Sequence, residues 1–584
     1  MSKQVLKKHL LSGIDYIVVM GLVIIGLLFV LQLWRADLAK YPLQYGQGDD
    51  MTAAMTIKTI QEEGWFYTNP LLGAPNVQGT NSYDATTGEV LLNLLEKICV
   101  MVTNNWVLAL NIFYLLGYVL VAWSAYFVLK HLGISRWTGM LGAVLYAFLP
   151  YHFFRNIGHL YLSEYFMVPL MVYYVVLFMR GETVWKKENG RWLTWKNVGH
   201  VLVFVCMGLT GVYYAYFACF FLCVSIGYKL LNQISWKRCR QELAGIGMIA
   251  VSLILAVSPS LIYWLQNGRN SEAVERSAAG AEIYSMKLVQ LILPISGHRI
   301  SKLADLRSAY DSFLLSNENT TVSLGLIMSI GFLILLFSLF IVRKQKENYE
   351  DIRKLSVLNL AALLIGTVGS FSSIIGFLFS LIRCYNRICI YIAMFSVITI
   401  CLILDRIFDK WKTEKNKKIL RYIVPAVLLC IGIWDQTSPA FVPNYDGIKA
   451  DYDSDEAFVK KIENMQPEGM IFQMPYVVYP EQGAVNNMVD YSHLRGYLHS
   501  DTLRWSYCAV KGRETDQWQR QISQKTLEEQ LVIMREQGFT GIYIDTYAYT
   551  ADELSVLQAE LKNEVGDVSL VSENGRLWFY ILNE

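Results

Sequence analysis

Two adjacent aspartates, Asp49 and Asp50, follow Gly48 a short distance after the first apolar run. One aspartate at that place satisfies free N–H groups at a helix start and complements the helix dipole. A second, with glycine before it to let the chain turn, can present a carboxylate into the membrane-proximal space. A denser cluster follows the third apolar run: His152, Arg155, His159 and Glu164 lie within thirteen residues, among Tyr151, Phe153 and Phe154. It reads either as a polar interfacial turn with aromatic anchors, which accounts for the Tyr and Phe but less well for Arg155 beside two histidines, or as a functional site. Farther on stand Arg276, Glu282, Lys287, His298 and Arg299, and then Arg383 and Arg387, four residues apart. On a helix that spacing puts both guanidiniums on one face. Such a pair suits phosphate or pyrophosphate, which takes paired hydrogen bonds from arginine, and it also suits two side chains snorkelling at a membrane interface.

The elements that must carry these groups are apolar. Of 584 residues, 54% are hydrophobic and only 17% charged, against roughly 25% charged in soluble proteins, and the mean hydropathy is +0.32. The runs expected to span are 14–34, 106–129, 137–150, 163–179, 198–210, 213–231, 244–265, 321–342, 355–369, 386–405 and 419–434, about eleven transmembrane helices. The first, preceded by Lys3, Lys7 and Lys8 and followed by no small-residue cleavage site, reads as a retained signal anchor. With the N-terminus inside, every predicted inside loop is basic, from Lys130 and Arg136 to the lysine- and arginine-rich stretch 406–421. The polar clusters above then all lie at the outer face.

Charge divides the chain in two. Residues 435–584 carry 12 basic and 24 acidic side chains, and residues 1–434 carry 39 and 25. The expected architecture is a polytopic α-helical membrane domain, 1–434, and an extracytoplasmic α/β domain, 435–584. In the latter, 470–476, 541–545 and 576–582 read as strands and 526–537 and 552–563 as helices. The first outside loop, 35–104, carries two amphipathic helices, 50–63 and 90–102, suited to a membrane surface.

Disorder, a collagen repeat and a disulfide-stapled module are excluded by composition. Basic residues scattered between apolar spans argue against nucleic acid as a partner. The ten cysteines form no C-x-x-C pair. P-loop, Rossmann glycine, G-x-S-x-G and H-E-x-x-H motifs are absent, so a cytoplasmic nucleotide-driven pump has no support.

The stretches 48–50, Asn69-Pro70-Leu71-Leu72-Gly73-Ala74-Pro75, 150–160, Gly208-Leu209-Thr210-Gly211-Val212-Tyr213-Tyr214 and Ile382-Arg383 with Arg387 resemble the GT-C superfamily of polyprenyl-linked glycosyltransferases. Within it they are most similar to bacterial YfhO-type membrane proteins. The likeness covers about residues 10–435. It implies an inverting transfer of a sugar from a polyprenyl-phosphate carrier to a cell-envelope glycan or glycolipid, such as teichoic acid or a surface polysaccharide, at the outer face of a bacterial cell membrane. Asp49 or Asp50 would be the general base, with Asp84 or Glu89 as a further acidic partner. Arg383 and Arg387, with Arg155, His159, Arg276 or His298, would stabilise the leaving phosphate, and His152, Glu164 and Arg299 complete the substrate-binding candidates. Some relatives bind a divalent metal, for which Asp49, Asp50, His159 and Glu164 would be ligands; no obligatory metal or other cofactor is expected. A flippase of lipid-linked sugars and a non-catalytic assembly scaffold are the competing expectations.

Overall fold

The computed structural model describes residues 3–77, 88–233, 236–273, 276–313, 317–341, 347–411 and 419–582. Asp84 lies outside them, as do Arg343, Lys344 and Lys346 and residues 412–418 of the basic loops.

The chain is a mostly helical, multi-pass membrane protein. A helix stands at each of the eleven apolar runs, but among the described residues six helices are long and apolar enough to cross a membrane, or seven if Leu420–Gln436 and the segment bent from it count as one span. Arg136–Ala147, Trp195–Gly208 and Leu326–Ser338 have only 12, 14 and 13 residues, where a crossing takes about 20. The predicted span 163–179 is the end of a longer helical stretch, Ile157–Met179.

Local chemistry sets the breaks that matter. Asn105 caps Trp106–His131 by accepting a hydrogen bond from the Leu108 N–H at 3.0 Å. Gly211, at φ +115°, turns the chain between Trp195–Gly208 and Val212–Leu231, a conformation open to glycine and strained for other residues. Asn156, at φ 40°, breaks Pro150–Arg155 from the turn Ile157–His159 and caps that turn through Gly158 N–H.

The two helices of the first loop depart differently from expectation. In Val90–Thr103 the apolar side faces outward, with Leu94 and Ile98 exposed and Asn93 and Glu96 buried, as a membrane-surface helix requires. Asp49–Glu63 is no surface helix: Met51, Met55, Ile57 and Ile60 are buried, and so are Lys58 and Thr59. Its polar side is covered too, because it is wedged against the C-terminal region. There Lys58 Nζ donates to the Ser500 carbonyl at 2.6 Å, and the Tyr497 hydroxyl donates to Glu62 at 2.7 Å.

That region holds the helix Tyr445–Met465 and a five-stranded sheet of β1 (Met470–Met474), β2 (Arg504–Trp505), β3 (Phe539–Asp545), β4 (Leu570–Val571) and β5 (Leu577–Ile581), in the order β2-β1-β3-β5-β4. β1 pairs in parallel with β2 and β3, while β3–β5 and β5–β4 are antiparallel. Alternation along β3 sends Ile542 and Ile544 to a core with Leu531, Met534 and Leu561 of the covering helices, and Tyr543 to the opposite face, toward Phe458. The free edge of β2 is occupied by the first loop. Trp505 N–H donates to the Leu71 carbonyl at 2.8 Å, and Gly73 N–H donates to the Tyr507 carbonyl at 2.8 Å. Residues 69–74 thereby cover an edge that would otherwise expose unpaired backbone groups.

Candidate active site

The start of Asp49–Glu63, the turn 157–162, the break 210–214 and the residue Arg387 enclose a cavity of about 280 Å³. Asp49 lines it, half exposed, with its Oδ2 3.8 Å from His159 Nε2. Burial raises the Asp49 pKa to about 6, helped by the negative charges of Asp490, Glu481 and Glu318. A carboxylate so placed is ionised at neutral pH and still basic enough to accept a proton. Asp50 points the other way. It is 1% exposed; its Oδ1 accepts the Gln47 N–H at 2.9 Å, and its Oδ2 has no partner among the described residues. Burial lifts its pKa to about 7. Asp50 shapes the helix start, and Asp49 faces the cavity.

Opposite in charge is Arg387, whose guanidinium lies 4.1 Å from the centre of the Tyr213 ring. Behind it, Glu318 bridges two arginines. It accepts from Arg387 Nη2 at 3.2 and 3.3 Å and makes a short contact with Arg155 Nη1. Arg155 itself stacks on Tyr151 at 4.9 Å and is 1% exposed. Burial alone would raise Glu318, but Arg155 first and Arg387 second more than offset it and hold the carboxyl well below its ordinary range. Two cations and one fixed anion leave one positive charge for a ligand, delivered at the cavity by Arg387. The cavity also contains Glu89, whose pKa burial raises to about 7.

The remaining candidates sit elsewhere. Arg383 and Arg387 do not share a helix face: the chain from 385 to 388 is a 3₁₀ turn and the α-helix begins at Cys389. Arg383 therefore packs on Tyr284, 4.9 Å from its ring centre, away from the cavity. His152 is buried in the bundle, stacked on Tyr118 at 3.5 Å, and its Nδ1 is 3.1 Å from the Ala147 carbonyl. Glu164 is buried against Gly117, where an added Cβ would fall 2.1 Å from Oε1. Arg276 pairs with Glu481 at 3.4 Å. His298 and Arg299 hold the end of a span, His298 3.4 Å from Asp435 and Arg299 donating to the Trp434 carbonyl at 2.8 Å. Of the residues singled out in the sequence, Asp49, Glu89, His159 and Arg387 meet at the cavity, with Arg155 one layer behind. Among the described residues no three His, Cys, Asp or Glu side chains converge as metal ligands do.

Glu318 was not foreseen. It stands in a long polar loop, 163 residues from Arg155 and 69 from Arg387, and spacing gives no sign of the bridge. Thr210, Tyr213 and Tyr214 were noted only as part of a motif.

A family model described as a domain of unknown function, DUF6311, matches residues 90–385. No curated protein matches the chain. Among solved structures, the fold is similar to that of ArnT from Cupriavidus metallidurans in the apo state, at a TM-score of 0.51 and 10% identity, over 97% of this chain and 98% of that one. The same protein bound to undecaprenyl phosphate gives 0.51 and 10%, over 96% and 98%. The archaeal oligosaccharyltransferase AglB from Archaeoglobus fulgidus, solved with an inhibitory peptide and a dolichol-phosphate, aligns at 0.45 and 14%, over 97% and 74%. The likeness to the ArnT structures is one of fold.

Proposed function

The chain belongs to the DUF6311 family, whose matched span 90–385 includes the cavity walls at 157–162 and 210–214, and from that cavity we infer that it is a membrane glycosyltransferase using a polyprenyl-phosphate sugar. The observation that carries the reading is one cavity lined by both a carboxylate with a pKa of about 6 and a guanidinium. An acceptor hydroxyl attacks the anomeric carbon of the donor sugar, its proton passes to Asp49, the new glycosidic C–O bond forms, and the C–O bond to the carrier phosphate breaks with inversion. The phosphate leaves with one more negative charge than it had in the diester. Arg387 meets that charge, held in place by Glu318 and backed by Arg155, and such a preorganised cation favours the transition state over the ground state.

The carrier is suggested by the likeness to ArnT, whose structure holds undecaprenyl phosphate, and the Arg387 guanidinium at the cavity gives a phosphate a cation to meet. The likeness to YfhO-type proteins rests on the short motifs alone. Basic loops support an N-terminus inside a bacterial cell membrane, with the cavity and the 435–584 domain outside.

The test is carrier turnover by purified protein in lipid, given undecaprenyl-phosphate sugars and an envelope-glycan acceptor, with released undecaprenyl phosphate measured by mass spectrometry. Release that depends on acceptor and is lost in Asp49→Asn supports the reading. No release from any donor, with folded protein and a competent acceptor, refutes it.

A further inference from the structure

A second cavity, of about 490 Å³, adjoins the first, and Ile157 lines both. Its size falls within the roughly 300–1,000 Å³ of small-molecule sites. Its chemistry differs from its neighbour's, since no Asp, Glu, Lys, Arg or His side chain is among its lining residues. Four side-chain amides line it instead, from Gln44, Gln47, Asn156 and Asn444. Aromatic surface lies beside them: Phe441 stands edge-to-face with Phe154 at 5.0 Å and stacks on Phe153 at 4.8 Å.

The amides are not randomly disposed. Asn156 Oδ1 accepts the Gly158 N–H at 2.8 Å, and Gln44 Oε1 accepts the same N–H at 3.2 Å. Asn444 Oδ1 caps the helix that follows by accepting from Gly447 N–H at 3.2 Å, and Gln47 Oε1 accepts from Gln44 Nε2 at 3.2 Å. With the oxygens so engaged, the NH₂ groups of Gln47, Asn156 and Asn444 have no acceptor among the described residues. The cavity therefore offers uncharged donors beside aromatic faces. Hydroxyl, ring and N-acetyl oxygens accept from such donors, and the C–H faces of sugar rings pack on aromatics. An anion fits poorly: no cation lines the cavity, and the Asp50 carboxylate lies directly behind Gln47, accepting its backbone N–H.

We propose that this second cavity is the acceptor subsite and that it takes uncharged sugar residues, not the phosphodiester-linked polyols of a teichoic acid chain. This rests on the transferase reading, because Asp49 serves the neighbouring cavity and Ile157 divides the two. It assigns to Gln47, Asn156 and Asn444 the task of orienting the nucleophilic hydroxyl.

The test is direct binding to full-length protein in lipid nanodiscs, followed by saturation-transfer NMR. The probes are maltose, lactose and N,N′-diacetylchitobiose, with a glycerol-phosphate trimer as the anionic rival. Gln47→Glu, Asn156→Asp and Asn444→Asp keep the accepting oxygens and so preserve the turn and the cap, while they remove the donors. At least one neutral disaccharide is expected to bind wild type more tightly than the trimer does, and each variant is expected to bind it at least tenfold more weakly at unchanged melting temperature. Failure of every neutral sugar to bind, tighter binding of the trimer, or full retention of sugar binding in all three variants overturns the proposal. Carrier release by the same wild-type protein, measured in parallel, separates the two inferences. A protein that binds the sugars but never releases carrier phosphate removes the transferase reading and leaves the sugar site standing. One that turns over carrier and binds no neutral sugar removes the subsite alone.

Discussion

The sharpest consequence of the geometry is that two neighbouring aspartates should respond oppositely to the same change. Asp49→Asn removes the proton acceptor that faces the cavity, and loss of a general base typically costs about 10²–10⁴ in rate, roughly 2.7–5.5 kcal/mol of barrier. Asp50→Asn keeps an oxygen for the Gln47 N–H bond of 2.9 Å and does not line the cavity that Asp49 faces, so transfer should change little. The pH profile adds a second criterion. A base works as its anion, and the Asp49 pKa is raised from its ordinary 3.8 to about 6 by burial and the neighbouring carboxylates. The wild-type rate should therefore fall below pH 6, approaching tenfold per unit, and this limb should vanish in the residual activity of Asp49→Asn. The assay is kcat/KM for release of undecaprenyl phosphate between pH 4.5 and 8, with melting temperatures as the control for folding. Equal losses in the two variants, or a limb near pH 6 that survives in Asp49→Asn, would refute the assignment.

Three further outcomes follow from the same site. Arg387→Ala should weaken binding of undecaprenyl phosphate about 10- to 100-fold, the roughly 1.4–2.7 kcal/mol of a hydrogen bond to a charged group, by titration in nanodiscs; Arg383→Ala, whose guanidinium packs on Tyr284, should leave it near wild type. Glu318→Gln strands two buried guanidiniums and should cost about 3–5 kcal/mol of stability, read by denaturant melts. Because the folded pKa of Glu318 is depressed, its contribution is complete above the unfolded value of about 4.3 and is lost as pH falls below it, so the variant's deficit should shrink in acid. Gly211→Ala places a Cβ 2.9 Å from Glu89 Oε1 at φ +115° and should destabilise by about 1–3 kcal/mol, with a lower transfer rate.

Apolar periodicity made the helices legible, down to the break at 208–211, because a run of apolar residues has one economical conformation in lipid. Crossing was less legible. Whether a 12-residue helix such as Arg136–Ala147 spans depends on its neighbours, which its own sequence does not specify. Strands β1, β3 and β5 stood out as hydrophobic runs, whereas β2 and β4, two residues each, exist only through their partners. At the site, residue type picked out Asp49, His159 and Arg387, but the same criterion also drew in His152 and Glu164, which are buried polar groups inside the bundle. The Arg383–Arg387 pair misled because helical spacing was applied across a 3₁₀ turn. Glu318 escaped because its partners are distant along the chain.

The docking of residues 69–74 on β2 sets an order of events during synthesis. Asn69 Nδ2 donates to the hydroxyl of Tyr497, 428 residues later in the chain. At about 5–20 residues per second, the first loop waits roughly 20–90 s for the chain that completes it. Until then the polar side of Asp49–Glu63 has nothing to pack against, and the aspartate that faces the cavity sits on an unsupported helix. A nascent or prematurely terminated chain should therefore hold its spans yet lack a finished site.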